Sequence, residues 1–272
     1  MGTRCALFAV GTNRHQLAEG EVWVRQVAAR LTRFSPDSEL SRLNCAGGRW
    51  VDLSLELEEV LRESMRAFEV SRGLVNVAVL PSMLAIGYTR PMADGPTRAK
   101  LIGVTALSPL PEVLTLQRGR ARLAPGCGID LGGVAKGWMA DRLLERLGRN
   151  ALANLGGDLS ARGVGPAGDG WPVGIAGVTV MLRDQGAATS SVLRRRWEGL
   201  HHLIDPRTGL PAETALEEVS VIASTGFDAE VIAKTALLAG PDIGRAFCRV
   251  HALAWWFGAP SLPAAGGWVL GR

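Results

Sequence analysis

The sequence has few aromatic residues and almost no lysine. Only 6% of its 272 residues are Phe, Trp or Tyr, with a single Tyr, and its 30 basic side chains are all arginine except Lys100, Lys136 and Lys234. No run of about 18 apolar residues occurs, so no integral membrane segment is expected. A net charge of +4, with Arg194-Arg195-Arg196 as the longest basic run, is too weak and scattered for a nucleic-acid stripe. Cys5, Cys45, Cys127 and Cys248 lie far apart without metal-ligand spacing and read as free thiols of a reducing compartment. The opening Met1-Gly2-Thr3-Arg4 lacks the pattern of a secretion signal, so the chain as written reads as cytoplasmic, a trimmed precursor giving the same appearance. With 47% hydrophobic and 21% charged residues, disordered and fibrous classes are excluded.

What is present is a mixture of helical and strand periodicities. Residues 2–13 read as a strand and 16–33 as a helix. Asp37 or Ser38 is placed to cap a short helix through Leu43, and Ser54 a longer one that stops at Gly73. The apolar stretch 74–88 is broken by Asn76, Pro81 and Gly87 and is expected to be buried and irregular. Residues 91–100, rich in Pro, Gly and charge, mark a possible internal boundary within a single domain spanning 1–272. Strands at 112–117 and 120–123 are expected to pair about Arg118-Gly119, and a helix is expected over 133–147. Short strands then follow at about 152–155, 158–162, 172–176, 178–183, 187–190, 201–204 and 217–224. Asp228 is expected to cap a helix to Ala239, with another helix at 242–250 and strands at 251–257 and 267–270. Clustered strands with helices between them imply an α+β fold, with mixed and antiparallel sheets flanked by helices.

Four segments could carry chemistry. Gly128–Gly137 places glycines before a helix, where backbone N–H groups and the helix dipole favour an anion, with Lys136 in the first turn. It is neither of the named phosphate loops, and a tight turn capped by Asp130 fits it as well. Asn154-Leu155-Gly156-Gly157-Asp158 reads equally as a hairpin turn. His201-His202-Leu203-Ile204-Asp205-Pro206-Arg207-Thr208-Gly209 combines a turn sequence with half the chain's histidines, the side chains most easily poised as a base. His201 is expected to face away from its neighbour and to tolerate replacement. Glu230 and Lys234, four apart on a helix, fit either a surface ion pair or a carboxylate ligand for a hard cation.

Taken together and in order, these segments resemble the ApbE family of FAD:protein FMN transferases. The matching residues are Met1-Gly2-Thr3, Phe34–Asn44, Gly73–Tyr88, Asp130–Asp141, Asn154–Asp158, Ala188-Thr189-Ser190, His202–Gly209 and Glu230–Gly240. The resemblance implies an ApbE-like fold. It also implies an enzyme that binds FAD and Mg²⁺, cleaves the pyrophosphate, and transfers FMN to a Ser or Thr hydroxyl of a target flavoprotein. Carried over residue by residue, it assigns flavin contacts to Met1, Phe34, Leu74, Val75, Asn76, Asp130, Lys136 and Ile204. Asn154, Gly156, Gly157, Asp158, Thr189 and Ser190 line the same pocket. Lys136 and His202 are the catalytic candidates, His202 as the base for the incoming hydroxyl. The metal candidates are Glu230 and the backbone carbonyl of Gly133.

Two stretches depart from the family pattern. Val75-Asn76-Val77-Ala78 stands where the family usually has Phe-Asp-Pro-Thr, which removes a charge. Glu230-Val231-Ile232-Ala233-Lys234 stands where it usually has Asp-Ala-Leu-Ala-Thr, and an ammonium is no metal ligand. Lys234 is expected to take part of the cation's place or to pair with Glu230. The alternative to a transferase is a flavin-binding or regulatory homologue without metal-dependent activity, or a folded protein with an empty remnant pocket.

Overall fold

The computed structural model describes residues 2–258 and 268–271. The chain begins with β1 (Cys5–Ala9) and α1 (Arg14–Leu31). Ser38 caps α2 (Glu39–Asn44) by accepting the Ser41 N–H. After β2 (Val51–Asp52), Ser54 caps α3 (Leu55–Val70) through the Leu57 N–H. The i, i+3, i+4 positions Leu57, Val60, Leu61 and Ser64 are the buried stripe of α3, which ends just before Gly73 at φ +86°. The stretch 74–88 is not wholly irregular. It contains α4 (Leu80–Ala85), with Pro81 in the first turn, where a missing N–H leaves no helical bond unmade.

Past a single 3₁₀ turn at Met92–Asp94 comes α5 (Leu110–Val113), which takes up the start of the strand expected from Glu112. The hairpin about Arg118-Gly119 joins β3 (Leu114–Gln117) to β4 (Arg120–Leu123). Next are α6 (Ala135–Leu147), β5 (Ala151–Leu155), β6 (Asp158–Arg162), β7 (Trp171–Ile175), β8 (Val178–Leu182) and β9 (Gln185–Ser191). Then come β10 (Arg196–Trp197), β11 (Leu200–His201), β12 (Glu218–Ala223), α7 (Gly226–Ala239), α8 (Pro241–His251), β13 (Ala254–Gly258) and β14 (Trp268–Gly271). The strand expected over 201–204 ends at His201, and Ile204 makes only an isolated bridge to Pro211. The cap of α7 is Thr225, not Asp228. Thr225 Oγ1 accepts the Asp228 N–H at 3.0 Å and donates to Asp228 Oδ2 at 2.8 Å, so Asp228 lies inside the first turn, bonded to the cap.

Two compact units emerge, and the chain passes between them more than once. One holds Gln26–Gly133 and Val192–Glu213; the other holds Thr3–Arg25, Val134–Ser191 and Thr214 onward. The 91–100 stretch lies inside the first unit. The first unit contains the small sheet β2-β4-β3 and the ribbon β10-β11. The second is built on a seven-stranded sheet of order β1-β5-β6-β9-β12-β13-β14, with the separate ribbon β7-β8. Every strand pairing among the described residues is antiparallel, so no sheet is mixed, and the α+β class holds. Among the same residues no helix is long and apolar enough to cross a membrane.

Strand alternation divides the large sheet into two chemically different faces. Leu159, Ala187 and Ile222 lie on one face, in a core cluster with Trp171 and Leu182 of the β7-β8 ribbon. Asp158, Ser160, Gly186 and Ser190 lie on the other, the face covered by α6 and α7. Glycine permits the close approach there, since a Cβ on Gly186 would sit 2.1 Å from the Gly226 nitrogen. That face carries the polar cluster described next.

Candidate functional site

In the second unit, the start of α6 meets the start of α7. A Cβ on Gly137 would fall 2.5 Å from the Gly226 carbonyl oxygen, so a side chain here would push the two helix starts apart. Asp141, one turn further along α6, clamps α7. Its Oδ1 accepts from Ser160 Oγ at 2.6 Å and the Gly226 N–H at 2.8 Å, and its Oδ2 accepts the Phe227 N–H at 2.9 Å. Burial pushes this carboxyl above the usual aspartate value, although all three donors pull the other way. Sequence reasoning did not single Asp141 out. Its spacing of four from Gly137 on one helix face was the available signal.

This clamp positions Glu230, one turn into α7 and almost fully buried. Glu230 Oε2 accepts the Gly137 N–H at 2.9 Å and so occupies the N-terminal end of α6, which has no side-chain cap of its own. Glu230 Oε1 accepts from Lys136 Nζ at 3.1 Å, and Lys234 Nζ lies 3.9 Å from the same oxygen. Burial alone would raise the Glu230 carboxyl, but the charges of Lys136 and Lys234 and the Gly137 N–H hold it below the ordinary glutamate value. Lys136 also pairs with Asp158 Oδ2 at the start of β6. Two ammonium groups and two carboxylates are thus gathered at one helix start.

The Asn154–Asp158 segment is the β5-β6 hairpin. Leu155 pairs with Asp158 across a two-residue loop, and Gly156 (φ +76°) and Gly157 (φ +100°) supply the left-handed conformations it needs. Asn154 Oδ1 accepts the Gly157 N–H at 2.9 Å, so Asn154 braces the turn while Asp158 alone joins the cluster. Thr189 lies apart from this cluster. It is adjacent to Ser190 on β9 and therefore faces the opposite side of the sheet, bonded to Ser220 at 2.8 Å. Ser190 is on the face that carries Asp158.

In the first unit, Phe34, Tyr88 and Trp197 form an aromatic chain, with ring centroids 5.5 and 5.6 Å apart, and Ile204 packs in the same cluster. Arg33 lies over Phe34 and Tyr88, its guanidinium carbon 4.2 and 4.7 Å from the two ring centres. Asp130 is engaged internally, with Arg33 Nε on Oδ2 and the Gly132 N–H on Oδ1. Asn76 likewise has both ends of its amide engaged, its Nδ2 donating to the Ser108 carbonyl and its Oδ1 accepting the Ala78 N–H. Val75 is buried and Leu74 half-buried beside it. Asp205 accepts a forked contact from Arg207, and the Gly209 N–H closes the turn on the Asp205 carbonyl.

His202 is half-buried, whereas His201 is buried. His201 Nε2 donates to the Ala212 carbonyl at 3.1 Å and Nδ1 accepts the Leu203 N–H. Burial pushes its pKa below the ordinary histidine value, with Arg196 adding to the effect. Met1 lies outside the described residues.

The donor set around Glu230 does not fit a magnesium ion. Among the described residues no three His, Cys, Asp or Glu side chains converge as a metal site. Both Glu230 oxygens face N–H donors, two of them cationic, where Mg²⁺ requires a shell of free oxygens. Gly133, the other metal candidate, has no side chain to add to that set.

Fold and cluster together define an α+β protein that gathers paired lysines and carboxylates where two helices begin. The sequence model of the ApbE family matches residues 1–257, and the chain belongs to that family. It is 27% identical over 263 residues to the FAD:protein FMN transferase of Haemophilus influenzae, covering 87% of this chain and 75% of that protein. It is 28% identical over 259 residues to that of Salmonella typhimurium, covering 85% and 74%. Among solved structures, the flavin transferase ApbE from Vibrio cholerae shares the fold with a TM-score of 0.81 at 22% identity, covering 100% of this chain and 94% of that one. The apo flavinyl transferase ApbE of Pseudomonas stutzeri matches with a TM-score of 0.82 at 22% identity, covering 100% and 92%.

Proposed function

We propose that this chain is an FAD:protein FMN transferase. Curated relatives within its family carry that activity by name, and a flavin-binding homologue without transfer is not favoured. The observation that carries the reading into this chain's chemistry is Lys136. Its ammonium is held by Asp158 and Glu230 in the first turn of α6, yet its side chain remains 17% exposed. A fixed cation at a helix start suits the diphosphate of FAD, because phosphoryl transfer needs chiefly charge neutralisation and positioning.

In the reaction, the oxygen of a Ser or Thr hydroxyl on the acceptor flavoprotein attacks the FMN-side phosphorus. The bond from that phosphorus to the bridging oxygen breaks, and AMP departs with that oxygen and the electron pair. The hydroxyl proton passes to His202 and from there to solvent. Lys136 neutralises diphosphate oxygens. The proposed flavin contacts are Phe34, Leu74, Val75, Asn76, Asp130, Lys136, the 154–158 hairpin, Ser190 and Ile204. Because the Glu230 cluster does not provide a magnesium shell, no step is assigned to a metal.

The test is incubation of the protein with FAD and a candidate acceptor flavoprotein. The expected result is AMP release matched by an FMN-sized mass increase on the acceptor. Absence of both, with and without added Mg²⁺, overturns the assignment.

A further inference from the structure

We infer that Lys234 does in this protein what a divalent cation would otherwise do, so that FAD binding and FMN transfer proceed without a bound metal. The inference rests on the transferase reading above and names the cation of that same site. It begins from the environment of Glu230. One carboxylate oxygen has Lys136 Nζ at 3.1 Å and Lys234 Nζ at 3.9 Å, and the other accepts the Gly137 N–H at 2.9 Å. A divalent ion bonded to the first oxygen would sit roughly 2.1 Å from it, in the space two ammonium groups already share. The Glu230 side chain is only 3% exposed, so water would screen that repulsion poorly.

The second strand of the argument concerns charge balance. Buried carboxylates need a counter-charge, and a metal ion is one way to supply it. Here Lys136 stands on Asp158 and on Glu230, and Lys234 stands on Glu230, so two cations already answer two anions. Glu230 in turn is the anion that lets two ammonium groups lie side by side.

The third strand is access. Lys234 and Lys136 have side chains 13% and 17% exposed, and an ammonium offers three donors that can be divided between a carboxylate and a ligand oxygen. During transfer, negative charge grows on the bridging oxygen that leaves with AMP. Lys234 meets it with a donated hydrogen bond, no proton leaves the lysine, and the acceptor's hydroxyl proton takes the route through His202.

The experiment measures FAD affinity by fluorescence quenching, in EDTA and in excess MgCl₂, alongside calorimetric titration of the FAD-free protein with MgCl₂ alone. The wild-type protein is expected to bind FAD within about threefold of the same affinity in both conditions and to show no stoichiometric Mg²⁺ heat. Lys234→Thr is expected to lose roughly 10–100-fold in EDTA, the worth of a charge-assisted hydrogen bond, and to regain affinity with Mg²⁺. Lys234→Arg keeps the charge and is expected to stay insensitive to chelation. Wild-type affinity that collapses in EDTA, or a one-to-one Mg²⁺ isotherm, overturns the inference while leaving the transferase reading intact. Failure of the wild-type protein to bind FAD in either condition overturns both. The wild-type measurements decide the matter even if a variant does not fold.

Discussion

Arg33 and Asp130 form an ion pair whose side chains are only 4% and 10% exposed. The same guanidinium donates to the Tyr88 carbonyl at 2.7 Å and lies over the Phe34 ring. One arginine therefore holds the loop before α6, the aromatic cluster and the end of α1 in a single arrangement. Removing one partner leaves a buried charge without its counter-ion. Arg33→Ala is expected to destabilise the protein by about 3–5 kcal/mol in urea unfolding. The double variant Arg33→Met with Asp130→Leu is expected to recover part of that loss. A double-variant loss equal to the sum of the two singles would show that the residues are not coupled.

His202→Ala is expected to bind FAD nearly normally and to transfer FMN about 10²–10⁴-fold more slowly, the usual cost of losing a positioned base. Single-turnover transfer at saturating FAD is the measurement. A rate equal to the parent's would make His202 a loop residue without a chemical role.

His201 gives a pH dependence with a definite sign. Its pKa in the folded protein lies below the ordinary value of 6.5, so between the two values the unfolded chain binds the extra proton. Its contribution to stability is therefore complete above about pH 7 and is lost as pH falls through 6.5 toward the lower folded value. Thermal midpoints measured from about pH 7.5 down to pH 5.5 are expected to fall, and His201→Gln to flatten that fall. An unchanged slope in the variant would assign the acid sensitivity to other groups.

Gly137→Ala sets helix propensity against packing. In an exposed helix the change would stabilise by about 1 kcal/mol. Here the added Cβ would meet the Gly226 carbonyl oxygen at 2.5 Å and the Phe227 Cα at 2.8 Å, both backbone atoms. Overpacking against atoms that cannot rotate away is expected to cost about 1–3 kcal/mol net. It should also weaken FAD binding, because the Gly137 N–H bonded to Glu230 moves with the helix. A stabilised variant with unchanged affinity would show that α6 and α7 have room to separate.

Several elements were legible because their causes are local. Ser38 and Ser54 cap the helices that follow them, since a hydroxyl there reaches an N–H three residues on. The hairpins about Arg118-Gly119 and Gly156-Gly157 follow from glycine's freedom in tight turns. Asp228 misled because Thr225, three residues earlier, had the better claim to the cap and made Asp228 its partner.

By itself, the sequence determined the family and the α+β class, because ordered motifs and short-range capping are written in consecutive residues. It also placed Lys234 where a hydroxyl usually stands, one turn from Glu230. Only the tertiary structure decided what those residues meet. Lys136 and Glu230 are 94 positions apart in sequence, and their contact exists because Gly137 and Asp141 bring the first turns of α6 and α7 together. Thr189 and Ser190 are neighbours in the chain, yet the pleat sends them to opposite faces of the sheet. Such contacts depend on strand register and helix packing, which arise from the whole fold and leave no trace in any short stretch of sequence.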